Sequence, residues 1–384
     1  MAANTLTAIQ TKILAKALPY LREQMPVSRV INMDYSNDAR KKGATIDVEV
    51  TSTASTYDIT PSATHSDPDG DTPTTVPITL GTHKGSSFKL TDKERAEIDA
   101  NGYLPGKVTA AMSALGDKFS ADVLADYHGI YNVVGSAGSV AFSNATDRTA
   151  AKDATKAVAK LNGAQGVIGD RWGAIDENVY AEALALPQFA NADQRGHADV
   201  VSNGIVGRQY GIDWFQNTQI ATHTAGDIAG TIVVNDAGSA LSVGDTSVTL
   251  DGATSGGYKK GDIISFAGHT QTYAVTADVT QSGGNVTVAI TPGLVEVPAD
   301  GAAVTLTASH RVNIIAERDA IAGATRVLDT GDGETLPSLV DVPSALAVRL
   351  ETIRQNKQTK WEFDILYGHK LVRAAKAVRL LSSI

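Results

Sequence analysis

Eight histidines are the first residues to test for chemistry: His65, His83, His128, His197, His223, His269, His310 and His369. Imidazole titrates near neutral pH and ligates metals. These histidines are scattered, and no His-Glu-x-x-His pair sets two of them on one helix face. There is no cysteine, so there are no disulfides, no thiolate metal site and no cysteine nucleophile. Asp67-Pro-Asp69-Gly-Asp71 has the carboxylate density of a calcium loop. Its glycine sits at the wrong offset, and the closing position that needs a bidentate Glu is Ile78. Gly102-Tyr-Leu-Pro-Gly-Lys107 is too short for a phosphate-binding P-loop, and Val108 follows where Ser or Thr is needed. No Gly-x-Ser-x-Gly elbow and no dinucleotide fingerprint after a strand appear. The Asn-x-Thr sequons at Asn144 and Asn285 carry no weight without secretion. The sequence therefore assigns no catalytic, cofactor-binding or metal-binding residue, and the expectation is a non-enzymatic protein. Convergence in three dimensions stays open, because triads are recognised by geometry.

The bulk numbers bound the rest. The 384 residues suffice for two or three cores at roughly 150 residues each. Hydrophobic content of 42% with a mean hydropathy of -0.08 fits a soluble globular chain. The N-terminus lacks the basic-then-apolar layout of a signal peptide, and no window reaches about 18 uninterrupted apolar residues. No membrane span is expected, and folding in a cytoplasm is. A net charge of -9 and a pI near 5.4 argue against a protein that lives on sequence-independent DNA contacts. The stretch from Arg349 to Ile384 is locally basic. Its charges are expected to solvate strands and pair locally.

The elements that would position any site come next. Residues 4–24 read as an amphipathic helix with Leu6, Ile9, Ile13, Leu14, Ala17 and Leu18 on one side. Arg22 to Lys42 reads as a polar, irregular arm. Gly43 to Ser55 alternates as a strand, and Tyr57 to Pro73 is loop-like. Thr74 to Leu90 reads as one strand rich in β-branched residues. Two such strands could reach on the order of 40 Å. A lone ribbon is marginal in water, so a neighbouring subunit is the expected support. Thr91-Asp-Lys-Glu94 is a capping box that opens a helix. The pattern breaks at Asn101 to Gly106 and resumes from Lys107. Val108, Met112, Leu115, Phe119, Val123, Tyr127 and Ile130 then make one face. Helices over 144–161 and 177–190 bracket a buried strand over 167–176, and a turn and two strands over 204–215 follow. From Ala225 to Thr307 the helical pattern vanishes. Six short Val/Thr/Ile strands alternate with Gly/Asp/Asn turns there, which suggests an inserted small all-β barrel or sandwich. His310 to Leu328 reads as a strand and a helical turn. Trp361, Phe363, Ile365 and Tyr367 share one strand face.

Four stretches in this order resemble one family: 78–94, Tyr258 to Gly268, His310 to Leu328, and Lys360 to Lys370. The chain resembles tailed-bacteriophage major capsid proteins of the Hong Kong 97 fold, in the coat-protein branch with an inserted β domain. The resemblance implies an α+β fold with an N-terminal helix and arm (1–45), an extended loop (46–90), and a spine helix with peripheral domain (91–170). It further implies an axial domain (171–224, returning at 308–345), an inserted β domain (225–307), and C-terminal strands (346–384). It implies a structural subunit that self-assembles into hexamers and pentamers of an icosahedral shell around double-stranded DNA, without sequence-specific binding. Implied partners are a scaffolding protein and a portal, with a decoration protein left open and no membrane. The implied location is the virion, assembled in the host bacterial cytoplasm. No cofactor is implied, and no Lys–Asn crosslinking pair is assigned. The alternatives are an encapsulin-type nanocompartment shell and a β-rich surface-binding protein.

Overall fold

The structure is a computed structural model, and it describes residues 26–35, 45–50, 74–94, 106–143, 152–163, 169–190, 206–236, 241–328, 338–341 and 346–384. The fold is mixed α+β and mostly strand. It divides into two compact units, one of residues 1–119, 165–168 and 321–373, the other of residues 120–164, 169–320 and 374–384. The 4–24 helix reading, the 57–73 loop and all but Gly106 of the 101–106 break lie outside the described residues.

The first unit is built on the strand Gln358–Leu371. Its alternating Trp361, Phe363, Ile365 and Tyr367 are all buried, as period two requires. Leu346–Gln355 pairs with it antiparallel on one side and Thr82–Thr91 on the other. Ile321–Arg326 pairs with its far half, and Ser338–Asp341 extends the sheet beyond Leu346–Gln355. Phe88 stacks on Trp361 at 5.4 Å, so the Thr82–Thr91 strand supplies its own wedge of core.

Thr74 to Leu90 is two strands, not one. Thr74–Thr79 pairs with Thr45–Val50, whereas Thr82–Thr91 joins the larger sheet. Gly81 donates its N–H back to the Thr79 carbonyl at 3.0 Å and turns the chain. Pro77, which has no N–H, suits the two-stranded half. The ribbon also departs from expectation at its base. Ile46, Val48 and Ile78 are buried against Leu80, Ala322 and Ala324 of the same unit, so its own chain supports it there. The polar arm is interrupted too. Pro26–Val30 is a short helix, because proline's fixed φ suits a first helical position. Val27 within it and Ile31 and Met33 beyond it are buried.

The capping box is present: the Thr91 N–H donates to Glu94 Oε2 at 2.8 Å and the Glu94 N–H to Thr91 Oγ1 at 3.3 Å. Residues 92–94 are helical. The long helix runs Gly106–Leu124 and tightens into a 3₁₀ turn, Ala125–Gly129. All seven residues of its expected face, Val108 to Ile130, are buried.

The second unit carries a seven-stranded sheet. Its spatial order is Val133–Gly135, Ala377–Ser382, His310–Glu317, Arg171–Ile175, Ile212–Gln216 and Gly207–Gln209, with Thr222–His223 beside His310. Lys152–Gly163 and Glu177–Ala185 cover it through Ala154, Ala157, Leu161, Val179 and Ala183. Asp176 caps the second helix by accepting the Val179 N–H at 2.8 Å. His310 to Leu328 departs from a strand and turn: a second strand, Ile321–Arg326, follows the 3₁₀ turn Arg318–Ala320. Its small Ala322, Gly323 and Ala324 admit close neighbours; a Cβ on Gly323 would stand 2.6 Å from Met33 Sδ.

Residues 229–306 form a six-stranded sheet that matches the six expected strands within a few residues. It has its own core of Val248, Leu250, Phe266, Tyr273, Val286 and Val288. A bridge between Val233 and Ala303 ties its two edge strands.

Candidate functional site

The scattered histidines divide on folding. His65 and His197 lie outside the described residues. His83 is half-exposed on the first unit's sheet and meets Asp364 at 2.7 Å. Arg349 clamps the same carboxylate from the neighbouring strand, with its Nη2 at 2.6 Å. That bond raises the Arg349 pKa above its ordinary value. His269 stands edge-on to Phe266, and His369 lies along Tyr367.

The other three converge in the second unit. His223 Nε2 lies 2.8 Å from Asp262 Oδ1, and its Nδ1 lies 3.2 Å from the Tyr127 hydroxyl. Asp262 also accepts the Gly226 and Lys259 backbone N–H groups at 3.1 and 2.8 Å. Because a carboxylate accepts, the neutral His223 ring carries its proton on Nε2 and receives the Tyr127 hydroxyl on Nδ1. His310 stands against His223, with ring centroids 5.3 Å apart. Arg379 donates to the carbonyls of Gly261 (2.7 Å) and His128 (3.2 Å). Its guanidinium lies 5.1 Å from the Tyr127 ring centroid.

Burial governs the electrostatics of this cluster. Desolvation pulls Arg379 down to about 9 and His310 down to about 4, lowers His128, and raises Tyr127. A Tyr–His–Asp chain has the parts of a proton relay. Here Tyr127, His223 and Asp262 are at most 5% exposed, so a substrate cannot reach the reacting atoms. The arrangement can hold elements together, and its burial opposes a further positive charge.

A second buried network joins Arg171, Glu317 and Lys376, with exposed Asn162 at its rim. Lys376 Nζ lies 2.9 Å from Glu317, and Arg171 donates to Asn162 Oδ1 at 2.6 Å. The basic C-terminal stretch therefore behaves in two ways. Arg354 pairs with Asp92 at the surface and Lys360 with Glu362, as expected of solvated strands. Lys376 and Arg379 are instead buried and hold the second unit together. Sequence reading missed this because their partners lie tens to hundreds of residues away, and only pairing across the sheet brings them near. Among the described residues, no group of three His, Cys, Asp or Glu could hold a metal ion. Among them, no helix is long and apolar enough to cross a membrane.

No family model and no curated protein matches the chain. Solved structures do. The chain is similar to one from Mycobacterium phage Che8, at 12% identity over 91% of this chain and 89% of that one, with a TM-score of 0.49. It is similar to the capsid of cyanophage P-SCSP1u, at 12% identity over 89% and 84%, with a TM-score of 0.48. It is also similar to a virus-like particle from Pyrococcus furiosus, at 10% identity over 96% and 97%, with a TM-score of 0.43.

Proposed function

We propose that this chain is the major capsid subunit of a tailed bacteriophage, a structural protein that assembles into a closed shell of hexamers and pentamers around double-stranded DNA. One observation carries the reading: the order of elements along the chain. A two-stranded ribbon (45–50 with 74–79) is followed by a strand that runs into a capped helix at Asp92, then by the long helix Gly106–Leu124. A covered sheet comes next, a β-rich stretch departs between His223 and His310, and the chain returns into long C-terminal strands. That is the order the resemblance implies, and this support does not depend on the solved structures named above. In this reading residues 225–307 are an inserted barrel domain, and scaffolding protein and portal are the assembly partners.

Charge agrees with a container that does not grip its contents. The 225–307 stretch alone has eight acids against two lysines, -6 of the chain's -9. An acidic chain makes few phosphate contacts, which suits DNA that must be packed and released. The test is electron microscopy of the purified chain beside sedimentation, with and without a co-expressed scaffolding protein. Closed shells or tubes of capsomers support the proposal. Monomers under both conditions overturn it, and shells enclosing a protein cargo would point to a nanocompartment.

A further inference from the structure

The three converging histidines sit at a particular place in the chain. His223 and His310 face each other in antiparallel register on the strands by which the chain enters and leaves the 225–307 segment. They form its neck. The other members of the cluster come from three elements around that neck. Asp262 and Gly261 come from within the segment, Tyr127 and His128 from the 3₁₀ turn, and Arg379 from the last strand of the seven-stranded sheet. Gly261 lies so near His128 that a Cβ would stand 2.6 Å from the ring. Thr272 adds a tether by donating to the Tyr131 carbonyl at 2.7 Å.

The clamp has no place for another positive charge. His310 Nδ1 lies 2.7 Å from the Ala308 carbonyl and His128 Nδ1 lies 2.6 Å from that of Ala125. A carbonyl only accepts, so both rings carry their proton on Nδ1 and leave Nε2 bare. His310 Nε2 is buried without a hydrogen-bond partner. The titratable and charged groups around these rings are Tyr127, His128 and Asp126 on the turn. Those on the segment are Asp262, Tyr258, Lys259 and Lys260, and those on the sheet are His223 and Arg379. Asp262 already accepts three hydrogen bonds, and Arg379 already supplies a buried cation. A proton on His310 adds a second cation beside Arg379 with no new acceptor.

We propose that this neck is an acid-opened latch: protonation of His310 releases the 225–307 segment from the seven-stranded sheet. The latch is a property of the single chain and stands apart from shell assembly. Hydrogen-exchange mass spectrometry of the full chain at pH 7.5 and pH 5.0, corrected for intrinsic exchange, tests it. A His310 held near 4 in the closed neck, against 6.5 when open, makes opening roughly 25-fold easier at pH 5.0. Peptides over 222–230 and 256–264 should lose protection by about that factor, while the 346–371 strands keep theirs. His310→Asn, which can still donate to Ala308 but cannot take a proton, should cut the loss to a few-fold. The proposal is overturned if wild-type protection at the neck stays within twofold between the two pH values. It is equally overturned if the 346–371 strands lose as much as the neck, or if His310→Asn loses as much as wild type. The wild-type comparison decides even if the variant fails to fold.

Discussion

Gly226 shows how little room a single residue has at the neck. A Cβ there would stand 2.3 Å from the Gly257 carbonyl oxygen and 2.9 Å from Tyr258 Cα, both backbone atoms that cannot swing aside. Its own N–H is committed to Asp262. Gly226→Ala should therefore cost about 1–3 kcal/mol, the usual penalty of overpacking; a thermal melt within a degree of wild type would contradict it. Proton linkage gives a second expectation. Well above pH 6.5 His310 is neutral in both folded and unfolded chains, so it contributes no pH dependence there. As pH falls from there toward 4 the unfolded chain takes the proton and the folded chain refuses it, and stability declines. Below about 4 the contribution levels off, after a loss of up to about 3 kcal/mol. Urea titrations of wild type and His310→Asn across that window should diverge. Curves that run parallel would mean that the ring titrates normally.

At the scale of elements, the long helix is the clearest case of sequence dictating structure. Its seven apolar positions follow helical spacing, and every one is buried. Phe119 meets Tyr367 edge-on at 5.1 Å. Phe119→Ala should cost about 3–5 kcal/mol in cavity and lost contact, whereas exposed Lys107→Ala should cost close to nothing. Equal effects of the two, read by denaturant midpoints, would show that the face is misassigned. A different periodicity, two instead of 3.6, made the strands of 225–307 and the Trp361–Tyr367 face legible, because burial on one side of a strand writes itself into every second residue. What was not legible has a common cause. The turn at Gly81 and the strand at Ile321–Arg326 depend on which partner each segment meets, and local propensity is silent on that. The neck is the extreme example: Tyr127, His223, Asp262, His310 and Arg379 look scattered along the chain, and only the sheet order brings them together.

For the whole molecule, the ribbon divides a folding role from an assembly role. Its described base, Thr45–Val50 with Thr74–Thr79, ends at the Val50–Thr74 pair and buries Ile46, Val48 and Ile78 within its own unit. The base therefore belongs to the stability of the monomer. Residues 51–73, which join the two strands, include Asp67, Asp69, Asp71 and three prolines, and are poor in large apolar side chains. If the chain forms a shell, contacts between copies are the reason to keep such a stretch. Removing residues 57–73 and bridging the ends with a short Gly/Ser turn should leave the thermal melt and far-ultraviolet circular dichroism close to wild type, because loop length affects stability only weakly. Under conditions where the full chain assembles, the same deletion should sediment as small species and show few closed shells by electron microscopy. Normal shells would detach the ribbon from assembly and leave the interfaces to the two sheets. A collapse of the melt would mean that 57–73 contributes to the fold of the single chain, and that the division drawn at Val50 and Thr74 is misplaced.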